Sequence, residues 1–358
     1  MRRTCLVGAW LAFSLAGCPE DSGPNEEPDG EEDAQVSPSG AGASDAGSGV
    51  DAAAAASDAG VADPGKKVGT FTIKLTAPTP ATGGSSASEG YTSITGKVFD
   101  RPVPEEVVWE AELEQGGCKL LKPRVPFCET PCTNAVCVED DQCAPNAEAQ
   151  SVGRVTFSGL RPKSGAADIV IDPLGESVNA RVYSTPGDVE LPYPAFPEGE
   201  EIKLVAAGSA AFPGFNAAAK GIAPLSLTTT AFALKMGSAL SLAWKAPTKP
   251  ELSRLGVKLD ISHHGGTKGV IECDVPDTGS LEIAAPLATR LLALGVAGFP
   301  TIKVTRSSTG RASTPRGSVE LQVVEEVERA VQIDGLVSCS GPSDCPTGKT
   351  CQADLSCK

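Results

Sequence analysis

Between Val68 and Gly335 apolar and polar side chains alternate residue by residue in short runs. Phe71, Ile73 and Leu75 alternate with Thr70, Thr72 and Lys74, and Val155 and Phe157 with Arg154, Thr156 and Ser158. Val257, Leu259 and Ile261 follow the same rule, as do Val319, Leu321 and Val323. A period of two puts one set on a buried face and the other toward water, which suits a half-buried strand and not a helix. About a dozen such runs are separated by segments rich in Gly, Pro, Asp and Ser, the residues of turns. One stretch breaks the rule. Pro286 suits a first helical turn, Leu287, Leu291 and Leu294 share a helical face, and Gly295 is placed to end it.

Many short strands and one helix predict a mainly β fold, an antiparallel sandwich of immunoglobulin-like or jelly-roll-like kind, over residues 67–335. One or two sandwiches fit that length. A boundary between two is expected near Pro162 to Gly165 or between Pro192 and Glu198.

The chain has 12 cysteines, which suits an oxidising compartment rather than the cytosol. Cys118, Cys128, Cys132, Cys137 and Cys143 lie between a strand ending near Leu113 and one starting near Val152. Residues 118–143 therefore read as a Cys-rich insertion, too long to stay structureless without cross-links. Five is an odd number, and Cys273 alternates in phase with Ile271 and Val275. It is expected to pair with one member of the insertion and staple it to the sandwich. Cys339, Cys345, Cys351 and Cys357 fall in a tail, residues 336–358, too small for an apolar core, so two disulfides are expected to shape it. Structural zinc sites place their cysteines in closer pairs, so disulfides are the better reading of all ten and no metal is assigned.

At the other end, Arg2 and Arg3 precede an uncharged apolar stretch, Cys5 to Leu15, too short to span a bilayer. Leu15-Ala16-Gly17-Cys18 resembles the lipobox of bacterial lipoproteins. The resemblance implies that residues 1–18 hold a signal peptide with its lipobox, cut before Cys18, which carries diacylglycerol and an acylated amino group. Several acyl chains at one residue anchor a protein stably to a membrane. Pro19 to Gly65 holds twelve acidic residues, no basic one and no aromatic. Residues 19–66 thus read as a disordered acidic stalk, with a root-mean-square span of about 40 Å as a flexible coil. The lipobox, the acidic stalk, the Cys-rich run and the terminal DCPTGKTC segment together resemble surface lipoproteins of myxobacteria, whose tails carry a DCPxGxxC core. The likeness covers the lipobox and the tail specifically, about forty residues, and implies a cell-envelope location. In lipoproteins of enteric bacteria an Asp after the lipidated Cys favours the inner membrane. Pro19 stands there, so the outer membrane is favoured, with the body periplasmic or at the cell surface.

The net charge of −15 belongs mostly to the stalk: Lys66 to Lys358 holds 28 basic and 33 acidic residues. Nothing in that balance favours nucleic acid. Asp277-Thr278-Gly279 resembles the catalytic loop of aspartic proteases, but that chemistry needs two such carboxylates. The other candidate, Asp21-Ser22-Gly23, is in the stalk, so the loop reads as a turn and the protease as the alternative function. His263 and His264 are the only histidines, and on a regular strand they would point to opposite faces. No catalytic residue and no cofactor is assigned. The expectation is a lipid-anchored envelope protein presenting a binding or structural surface, with the Cys-rich insertion as its interaction loop. The few aromatic residues, Trp109, Trp244, Tyr91, Tyr183 and Tyr193, favour a protein partner slightly over a polysaccharide.

Overall fold

The computed structural model describes residues 65–81, 86–175, 181–266 and 268–358. Cys18 with its expected lipid, the signal peptide and nearly all of the expected stalk lie outside the described residues.

Among the described residues eighteen strands and one α-helix follow in order. They are β1 (Lys67–Thr76), β2 (Tyr91–Val98), β3 (Val108–Gln115), β4 (Cys118–Arg124), β5 (Ala135–Glu139) and β6 (Gln142–Pro145). Next come β7 (Val155–Ser158), β8 (Asp168–Ile171), β9 (Tyr183–Ser184), β10 (Glu201–Ala206), β11 (Phe215–Lys220) and β12 (Phe232–Leu234). The last are β13 (Leu240–Ala243), β14 (Arg254–Asp260), β15 (Val270–Pro276), β16 (Ser280–Ile283), the helix α1 (Ala285–Leu292), β17 (Thr301–Thr314) and β18 (Gly317–Ile333). The mainly β expectation holds. The helix falls where its pattern placed it, with Leu287, Ala288 and Leu291 buried and Gly295 at φ +91° beyond its end.

Ten strands form one sheet, ordered β3-β4-β15-β14-β17-β18-β1-β2-β9, with β12 also on β18. A four-stranded sheet, β11-β10-β7-β8, packs over one end of it. The pair β13-β16, with β12 and α1, covers the other end. There are accordingly two cores. The first joins Phe71, Ile73 and Ile94 to Phe157, Leu204 and Phe215, and the second joins Leu120, Val257 and Ile271 to Leu242, Leu287 and Leu291.

One hairpin serves both. Ala312, Val319, Leu321 and Val323 belong to the first core, and Ile302, Val304 and Val331, from the same two strands, to the second. The strands β17 and β18 are 14 and 17 residues long, well beyond the usual five or so. The chain passes between cores more than once, since β3 and β4 join the second before β7 to β11 complete the first. The expected boundaries near Pro162 and Pro192 therefore fall inside the first core, where Leu160, Leu191, Ala195 and Phe196 are buried. One passage lies between Ile222 and Leu225, and two more lie within β17 and β18.

Most pairing is antiparallel, but β18 runs parallel to β1 and to β12. No turn links these partners, so nothing local dictates their direction. The two layers of the first sandwich approach closely at Gly310 of β17, where a Cβ would lie 1.7 Å from the carbonyl oxygen of Ala218. Only glycine fits that crossing.

The segment starting at Cys118 was expected to be an insertion throughout. Instead Cys118 opens β4, an interior strand between β3 and β15, because Leu120 and Leu121 supply apolar positions that continue the sheet. Only the chain beyond Arg124 leaves it, and β5 and β6 form a separate hairpin there.

Candidate functional site

Asp277 directly follows β15, and its side chain is fully buried. Its Oδ2 accepts from Arg306 Nε at 2.6 Å and from Ser253 Oγ at 2.7 Å. Its Oδ1 accepts from Trp244 Nε1 at 2.6 Å and from Arg306 Nη2 at 3.0 Å. Arg306, also fully buried, donates its remaining N–H groups to the carbonyls of Ala223, Pro224 and Lys245. All five guanidinium donors are thereby used. A carboxylate with both oxygens committed and no exposure has no place for an attacking water, so the protease-like loop is a structural ion pair. The turn reading of its Gly holds, with Gly279 at φ +104°, but Asp277 turns inward to meet a charge from β17.

Arg306 stands opposite Glu325 in the β17–β18 register, between the two cores. Glu325 is 1% exposed and accepts from Tyr193 Oη at 2.7 Å and from the Leu225 amide at 2.6 Å. The waist is therefore polar but hydrogen-bonded throughout, as a buried network must be. Burial pushes the Glu325 carboxyl above its ordinary range, against the pull of the Leu225 amide, Tyr193 and Arg306. The folded state thus keeps this proton to a higher pH than the unfolded chain. The resulting stabilisation is complete below the ordinary carboxylate range and is lost as pH rises through the raised value. Glu325→Gln, which can still accept from the Leu225 amide and donate to Tyr193, should remove that part of the pH dependence. Denaturant midpoints of both proteins from acid to neutral pH check this, and parallel profiles would refute it.

The two histidines do not diverge as a strand would make them. β14 ends at Asp260, the chain turns, His264 takes φ +62°, and the rings lie 3.9 Å apart. The His263 carbonyl accepts from the Phe299 amide, and the adjoining loop receives the C-terminal tail: the Asp354 carbonyl accepts from Gly298 N–H, and Ser338 Oγ donates to the Gly298 carbonyl.

All ten body cysteines are joined in pairs. Cys118 bonds Cys273, its direct neighbour across β4 and β15, and so ties the base of the Cys-rich segment to the sheet. Cys128–Cys137 and Cys132–Cys143 cross-link the β5–β6 hairpin, while Cys339–Cys351 and Cys345–Cys357 shape the tail. Sulfurs that cluster within each module are committed to these bonds, and a cystine offers no thiolate to a metal. Arg124 adds a polar clasp, reaching Glu110 of β3 at 2.6 Å and Glu139 of β5 at 2.8 Å.

Where this hairpin meets the start of β1 and the end of β2 there is a groove of about 840 Å³. Val68, Phe99, Val103, Pro104, Val138 and Pro145 give it an apolar lining, and Lys66, Lys67, Lys97 and Arg101 stand along it with a single carboxylate, Glu105. Lys97 Nζ lies 5.2 Å from the Phe99 ring centre. Arg101 donates twice to Asp100, whose other oxygen accepts from the Glu148 amide at 2.8 Å. Burial would raise the Asp100 carboxyl, but these bonds hold it below its usual range. The walls are thus set before any ligand arrives. Val125 and Phe127, more than 70% exposed, stand on the same disulfide-linked segment. The cysteine pattern pointed to this segment, but the contributions of β1 and β2 carried no signal in the sequence.

Five disulfides fit an exported or extracellular chain. No helix among the described residues is long and apolar enough to cross a membrane. No family model matches the chain, and neither does any curated protein. Among solved structures it is similar to the chicken CNTN1 FN1-FN3 domains, at 9% identity over 68% of this chain and 78% of that one, with a TM-score of 0.19.

Proposed function

We propose that this chain is a lipid-anchored protein of the cell envelope, tethered through Cys18, that holds a protein partner in the groove beside its Cys-rich hairpin. The observation carrying this reading is the groove itself: preformed, apolar in lining, cationic along its rim and walled by a cross-linked loop. Such a site suits a segment that combines acidic and apolar side chains, because the charges steer and orient while the apolar area supplies affinity. An exposed loop positioned by a rigid scaffold is a common place for recognition. The resemblance of the N-terminus to a lipobox supports the anchor, and the balance at Pro19 favours the outer membrane. Binding is preferred over catalysis because Asp277, the one residue offered by a catalytic-looking motif, is enclosed.

The test is retention of envelope proteins, solubilised from the source cells, on the full-length oxidised protein. The double variant Lys67→Glu with Arg101→Glu is run beside it. A partner whose retention falls about tenfold on charge reversal supports the reading. A partner retained equally by both proteins, or none retained by a folded bait, refutes it.

A further inference from the structure

A second cleft, of about 530 Å³, opens between the start of β2 and the loop from Thr185 to Tyr193. Its two sides are pinned together. The Thr92 amide donates to the Leu191 carbonyl at 3.1 Å, and Thr92 Oγ1 to that of Pro192 at 2.7 Å. The amide of Ile94 donates to Thr185 Oγ1 at 2.7 Å. The cleft is therefore formed in advance, which lowers what a ligand must give up in ordering it.

Its chemistry differs from that of the groove. The chain has three tyrosines, and two of them, Tyr91 and Tyr193, line this cleft. The hydroxyl of Tyr193 is engaged by Glu325, so that residue contributes its ring. Tyr91 is 52% exposed, a large aromatic face left to water at the mouth. Around it stand Glu89, Glu190, Lys163 and Ser93. Lys163 and Glu190 pair at 3.0 Å, so charge of both signs is present and neither dominates strongly. A ligand here must donate to carboxylates, accept from an ammonium group and cover an aromatic face. Hydroxyl groups do both of the first, and a sugar ring adds C–H faces whose slight positive charge meets the negative face of an aromatic ring.

We infer that this cleft is a binding subsite for a neutral oligosaccharide, with Tyr91 as the stacking platform and Glu89, Glu190 and Lys163 as hydroxyl partners. The site is separate from the groove and does not depend on the function proposed for it. A protein that bound envelope protein at one place and glycan at the other would bridge the two.

Titration calorimetry of the full-length oxidised protein against neutral hexasaccharides tests it, with glucose-, mannose- and N-acetylglucosamine-based chains and polygalacturonate as an anionic control. Binding of at least one neutral chain is expected. Tyr91→Ala should weaken it about tenfold or more, a loss of roughly 1.4 kcal/mol, and Tyr91→Phe should retain it. Tyr91 is exposed, so both variants keep the core intact. No binding by any neutral chain, binding indifferent to Tyr91→Ala, or preference for polygalacturonate would each overturn the inference.

Discussion

Arg306→Leu is expected to lower the free energy of unfolding by about 3–5 kcal/mol, because it leaves the Asp277 carboxylate charged, enclosed and without its cation. The substitution also takes the guanidinium donors away from the carbonyls of Ala223, Pro224 and Lys245, which lie nearer the surface and can turn to water. Equilibrium denaturation of the oxidised protein measures the effect. The companion variant, Arg306→Leu with Asp277→Leu, separates the two contributions. Removing both charges takes away the unpaired ion, so the double variant should lose less than the single ones added together. If Arg306→Leu unfolds within about 1 kcal/mol of the parent, well short of the cost of a stranded buried charge, the pair does not hold the waist as described.

The second large effect is expected at the β4–β15 staple. Replacing Cys118 and Cys273 together by Ser should cost roughly 2–5 kcal/mol, since the bond closes a loop with a sequence separation of 155. Two polar hydroxyls would also enter a face that both sulfurs now fill as apolar groups. The same denaturation experiment applies, with tryptophan fluorescence reporting the second core through Trp244. Unchanged midpoints would mean that the sheet holds this crossing without the bond. A further consequence links stability to recognition: β4 leads into the hairpin that walls the groove, so partner retention should weaken in this variant even where the body stays folded.

What could be read from the chain in advance was whatever depends on neighbours in sequence. Alternation at Phe71-Ile73-Leu75 or Val257-Leu259-Ile261 marks strands because each strand's pleat is local, and α1 was legible because its Pro, its leucine face and its closing Gly are local too. The inward phase of Cys273 with Ile271 and Val275 was equally plain, and the structure bonds that residue to Cys118. The parallel pairing of β1 with β18 was not legible, since no turn joins them. Nor was the division into two cores, because a hairpin that feeds both leaves no composition break at any one point. Arg306 did leave a trace. It occupies the inward phase of β17 after Ile302 and Val304, where a charge demands a buried partner. That partner is 29 residues away in sequence, and Asp277 lay inside a motif that turn chemistry alone seemed to explain. The groove was half legible, through the Cys-rich run, and its floor came from strands whose outward residues looked ordinary.

The shared hairpin has a consequence for how such a chain can change over generations. Neither sandwich is a cassette. Recombination that replaced everything after Ile222 would strip the first core of Val319, Leu321 and Val323, and one that spared the hairpin would set a foreign second core against the resident Ile302, Val304 and Val331. The two halves can be altered residue by residue or duplicated as a whole, but neither can be exchanged for a foreign domain. Variation in a lineage of such proteins should therefore collect in the Cys-rich hairpin and the tail, each of which can be swapped without cutting β17 or β18.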